Sequence, residues 1–142
     1  MIKTFRGRLA DGDVQRIKLS TSDGLTGYIM KRLDVIDKTP GQADVECVTK
    51  VFTVPQSTAD AEVDLTNPTL LAVNFYTFER GNIAASNIII MDSTKFNQDV
   101  YVTYKDSAGN NNDGNYYIEL EQVKLDLNEA TVATVKDMRG RE

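Results

Sequence analysis

No part of this chain stays apolar for more than a few residues. About eight short segments of apolar and polar residues are instead separated by clusters of Gly, Asp, Asn, Ser and Pro. The longest uninterrupted apolar runs, Leu70 to Val73 and Ile88 to Met91, are far too short to span a bilayer as a helix. Segments of this length suit strands, and their regular spacing predicts an all-β domain built as a sandwich or barrel.

The individual segments carry the pattern. Ile2 to Leu9 reads as a strand ended by the turn Asp11-Gly12-Asp13. In Val14 to Ser20, Ile17 and Leu19 alternate with Arg16 and Lys18. Thr26 to Ile36 is a long strand broken by Pro40-Gly41. In Asp44 to Val54, Val45, Cys47 and Val51 share one face while Phe52 and Val54 take the other, so the second half is expected to be covered on both sides or bulged. Glu62 to Leu65 is a candidate short strand in a polar stretch closed by Asn67-Pro68. Leu70 to Glu79 and Asn87 to Met91 are apolar enough for buried strands, and Gln98 to Lys105 alternates. In Tyr116 to Asp126, Tyr116, Ile118 and Leu120 face one way, whereas Val123 and Leu125 have the opposite parity. A bulge near Glu121-Gln122 is the expected remedy. Asn128 to Met138 fits either a helix, by the spacing of Val132, Val135 and Met138, or an added strand. Its β-branched residues tilt the reading towards a strand or a partner-dependent arm.

Chemistry is hard to find. There is no histidine to serve as acid, base or metal ligand at neutral pH. The loop Gly109 to Gly114 is rich in Asn, but with Gly114 as the invariant glycine of a calcium loop, Gly109 and Leu120 occupy the first and twelfth ligand positions, and neither fits. A surface hairpin loop is the better reading. Glu119 and Glu121 share a strand face as solvated carboxylates, and no Gly-rich phosphate loop is present. The lone Cys47 reads as a small buried hydrophobe rather than a reactive thiol. These points predict no enzyme, no metal and no cofactor. The net charge of −5 argues against nucleic acid and anionic membrane as partners. Tyr76, Tyr101 and Tyr117 would make a sugar-stacking platform only if exposed together on one face.

Both ends carry cations: Lys3, Arg6 and Arg8 near the start, Lys136, Arg139 and Arg141 near the end. Arginine pairs bidentately with carboxylates, so basic ends on an acidic body form a candidate docking element. Lys3, Arg6, Arg8, Val132, Val135, Met138, Arg139 and Arg141 are the candidate protein-interface residues.

Five stretches, MIKTFRGRLADG, KLSTSDGLTGY, DLTNPTLLA, FNQDVYVTYKD and NYYIELEQVKLDLNEATVATVKDMRG, resemble a family of small virion structural proteins of marine tailed bacteriophages. The resemblance implies a virus-particle component with a β-sandwich fold and no catalytic signature. The expectation is therefore an antiparallel, jelly-roll-like sandwich of about eight strands over residues 1–126. Residues 127–142 follow as a C-terminal arm or short helix, able to pair with a neighbour's sheet edge. The expected partners are a major capsid protein or other virion proteins and copies of the chain itself. Capsid decoration leads, with a tail, baseplate or fibre role next and a carbohydrate-binding module as the alternative of another class. Folding in a host cytoplasm and residence in the virion complete the expectation.

Overall fold

The computed structural model describes residues 1–40, 44–79, 81–90 and 93–139. Its elements are β1 (Ile2–Leu9), β2 (Val14–Ile17), β3 (Thr26–Asp37), β4 (Val45–Phe52), β5 (Leu70–Glu79), β6 (Asn82–Ile89), β7 (Val100–Asp106), β8 (Gly114–Lys124) and α1 (Leu127–Arg139). The strands form two antiparallel sheets, ordered β1-β8-β3 and β2-β7-β4-β5-β6. The fold is an all-β sandwich with a C-terminal helix.

The pairing is nested. First pairs with last, second with seventh, and fourth with fifth, as in one long hairpin rolled over on itself. The remaining rung, β3 with β6, forms no ladder. β6 stays bonded to β5, and Asn87 ties it to β3 by donating its side-chain amide to the Leu33 carbonyl. The five-stranded sheet therefore extends past its partner, and β6 is exposed along nearly its whole length.

The core lies between the sheets, where alternate residues of each strand point inward. Tyr116, Ile118 and Leu120 of β8, with Met30 and Leu33 of β3, meet Val45, Cys47 and Val51 of β4 and Val100, Val102 and Tyr104 of β7. Each fully buried aliphatic side chain contributes about 1.5–3 kcal/mol by leaving water. Gly114 is required where Tyr104 crosses, because a Cβ there would lie 2.2 Å from the ring.

The second half of β4 is both covered on two sides and irregular. Val48, Lys50 and Phe52 on its outer face are buried, and the register with β5 shifts between Val51 and Phe52, leaving Leu71 as the extra residue. The polar stretch 53–69 forms turns and contains no strand, so Glu62 to Leu65 is corrected to loop: Asp60, Asp64 and Asn67 each accept a hydrogen bond from a backbone N–H two residues on. The strand expected from Asn87 to Met91 lies earlier, as β6, with Met91 outside the described residues.

Two further expectations are corrected. β8 has no bulge at Glu121-Gln122 in its pairing with β1; the irregularity is on β3, where Lys31 is the extra residue between Met30 and Arg32. Val123 and Leu125 do change face, because a second apolar cluster covers the outer side of the sheet there. The Asn-rich segment is no hairpin either, since it carries the chain from β7 in one sheet to β8 in the other. Buried Asp106 shapes it, accepting from the N–H groups of Glu46, Ala108 and Asn112 at 3.1–3.2 Å.

Candidate functional site

The C-terminal segment is a helix, which corrects the lean towards an added strand. Its start is a reciprocal cap. Asp126 Oδ1 accepts from the Glu129 N–H at 2.7 Å, and Glu129 Oε1 accepts from the Asp126 N–H at 3.4 Å. Glu129 also favours the positive end of the helix and pairs with Lys95, which holds its carboxyl below the usual range. This signature, Asp126-Leu127-Asn128-Glu129, is local and legible; the β-branched residues beyond it drew the reading away.

One face of α1 docks. Ala130 and Ala133 are buried against Leu125, with Leu25 and Val123 alongside. Leu125 reaches this cluster by crossing Gly27, where a Cβ would lie 2.8 Å from its side chain. Asn97, fully buried, acts as the clamp. Its Nδ2 donates to the Gly24 carbonyl at 3.0 Å, the Ala130 carbonyl at 3.3 Å and Thr134 Oγ1 at 2.7 Å. Asn97 is in turn fixed by Phe96, whose backbone exchanges two hydrogen bonds with Tyr28 at the free edge of β3.

The other face of α1 has no cover among the described residues. Leu127 is 75% exposed, Val132 66% and Val135 44%. Leu127, Thr131 and Val135 are spaced at i, i+4 and i+8, with Val132 beside them, so they form one stripe. A shallow groove adjoins it, lined by Ser93, Thr94, Lys95, Asn128 and Val132.

The N-terminal candidates lie elsewhere. β1 is the outer strand of the three-stranded sheet. Arg6 and Arg8 project from its outer face, opposite Tyr117 and Asn115, while Lys3 has the opposite parity, across from Leu120. Arg8 is engaged by Asp113 at 3.1 Å. No hydrogen bond, ion pair or apolar packing joins these residues to α1 among the described residues. The side chains of Met138 and Arg139, and all of Arg141, lie outside the described residues.

Other candidate chemistry is absorbed by packing. Cys47 is buried, and desolvation pushes its thiol up to about 11, which leaves it protonated at neutral pH. Lys50 points to the opposite face, where its Nζ donates to Asp60 Oδ1 at 2.7 Å and the Glu62 carbonyl at 2.6 Å, pinning the 53–69 loop. Sequence reasoning missed this latch, because the lysine and its partners are separated by a turn whose path depends on the sheet beneath. Glu119 accepts from the Tyr117 hydroxyl, and Glu121 pairs with Lys31. Tyr76 belongs to the inward row of β5, Tyr101 is buried on the outer side of β7, and Tyr117 lies on the outer face of the other sheet. The three rings share no platform. Among the described residues there is no group of three metal-ligating side chains, and no helix is long and apolar enough to cross a membrane.

Compared with family models, curated proteins and solved structures, the chain matches none.

Proposed function

We propose that this chain is a structural protein of a tailed-bacteriophage virion, acting through protein–protein contacts, with decoration of the capsid as its position. The observation that carries the reading is the exposed stripe Leu127, Val132 and Val135 on a helix whose other face is docked on the sandwich. An apolar stripe presented on a closed sandwich suits a surface that waits for a partner. The resemblance read in five stretches of the sequence suggests the setting, and the acidic body suits a protein partner better than nucleic acid.

A helix cannot add to a sheet edge as a strand does, so docking by α1 uses its side chains in a partner's groove. The major capsid protein is the proposed partner. Peptide mass spectrometry of purified virions from a phage that encodes this chain tests the reading. Copy number close to that of the major capsid protein supports decoration. A small fraction moves the protein to the tail, baseplate or a fibre, and absence from the particle refutes a virion role. Deletion of residues 127–142 is expected to abolish incorporation while the sandwich still folds.

A further inference from the structure

A second surface stands apart from α1. Sheets end in strands with one unpaired row of N–H and C=O groups, and folded proteins ordinarily guard those edges. Among the described residues there are four such edges, and three of them are guarded. β1 carries Lys3, Arg6 and Arg8. β2 is only four residues long and includes Arg16. β3 is bulged at Lys31, bridged by Phe96 and capped at the Leu33 carbonyl by Asn87.

Among the described residues β6 has none of these devices. Its eight residues, Asn-Ile-Ala-Ala-Ser-Asn-Ile-Ile, include no charge and no proline, and its register with β5 runs unbroken from Asn82 to Ile89. The Ile90 N–H bonds the Leu71 carbonyl, so the even-numbered residues of β6 turn their backbone towards β5. The odd-numbered ones, Ile83, Ala85, Asn87 and Ile89, therefore aim their N–H and C=O groups outward.

We infer that β6 is a self-association edge, pairing antiparallel with β6 of a second copy of this chain across a twofold axis. Charge selects this occupant. A strand that meets its own copy sets identical side chains near one another, and like charges opposed across a ladder are unfavourable. The cations of β1 forbid self-pairing there, whereas β6 brings no charge to the seam although the chain as a whole carries −5. Geometry agrees. A twofold axis perpendicular to the sheet requires residues of the same parity to face each other. With the axis at Ser86, Ala85 faces Asn87 and Ile83 faces Ile89, so the outward-aimed groups meet one another. The central residues, Ala84, Ala85 and Ser86, are small and exposed, which leaves room for close approach. On the outer face, Phe75 at 38% and Ile88 at 40% exposure flank the seam and would be covered by the joined sheets.

The test is the molar mass of the full chain by light scattering after size exclusion, from about 1 μM to about 1 mM. The wild-type chain should be a dimer at the upper end. Ala85→Pro deletes an N–H that takes no part in the β5 ladder, so it should give a monomer with the same unfolding midpoint. Ser86→Lys sets two cations at the twofold and should do the same, and it supplies the readout if the proline variant fails to fold. A wild-type monomer throughout overturns the inference and leaves the edge to a strand from another protein. Dimers that persist in both variants also overturn it and move the contact to another surface, the α1 stripe first. Neither outcome depends on whether the chain is found in virions.

Discussion

The sandwich core and the patch beneath α1 are built on different scales. Eighteen buried residues, most of them from the two sheets, form the first cluster among the described residues, while only Leu125, Ala130 and Ala133 form the second. The core is held by non-local ladders whose loss would expose both sheets. The helix is held by two alanines, one clamp residue and one exposed ion pair. A small apolar patch supports a low local opening free energy, so α1 can detach without unfolding the domain that bears it. That difference suits a presenting element on a rigid support.

Four substitutions or conditions would break or sharpen this contrast. Leu120→Ala, at a fully buried core position, should lower unfolding free energy by about 3 kcal/mol in urea titrations. A loss near zero would mean that the sheets are not packed as described.

Acid should act on the sandwich next. Burial alone would raise the Asp99 carboxyl, but the N–H groups of Ser20 and Leu19 and the Arg16 guanidinium outweigh it and hold it at about 2 instead of 3.8. A depressed carboxyl stabilises the fold above its unfolded value and loses that contribution as pH falls through the folded value. The difference amounts to about 2 kcal/mol, disappearing between about pH 4 and pH 2. Urea titrations at several pH values should show this slope in the wild type and a shallower one in Asp99→Asn.

Ala133→Asp places a charge in the small patch, where it can be relieved by releasing the helix. Hydrogen exchange should show the α1 amides losing protection, while the sandwich loses less than about 1 kcal/mol. Global unfolding would show that the helix and the sandwich are one cooperative unit. Last, Val132→Ser with Val135→Ser touches only exposed positions, so stability should stay within about 0.5 kcal/mol. Copy number in virions should nevertheless fall, and unchanged incorporation would detach the stripe from the proposed function.

Much of the strand set was legible because burial on one face imposes a period of two. Ile2–Leu9 and Leu70–Glu79 have the bounds that their apolar content and flanking turns predict. The parity change in Tyr116 to Leu125 was also visible, but its cause was not. A change of face can be produced by a bulge or by a second cover, and the cover here is Ala130 and Ala133 from the helix. The helix itself was under-read because Thr131, Val132, Thr134 and Val135 favour strands, whereas the Asp126–Glu129 cap and a place to bury two alanines favour the helix. The interface candidates were legible as residue types, yet only Val132 and Val135 are seen to share a surface; the cations of β1 lie on the outer strand of the three-stranded sheet, not on the helix.

By itself the sequence determined the fold class, most strand positions and most of the inward rows and turns, since these follow from local geometry and side-chain chemistry. Partner choice was decided only in three dimensions. A backbone ladder has the same donors and acceptors whichever strand supplies it, so no residue in β6 states that it will stay with β5 instead of crossing to β3. That selection depends on how two whole sheets stack, and it is what leaves β6 as an unguarded edge and Asn87 as its tie to the opposite sheet.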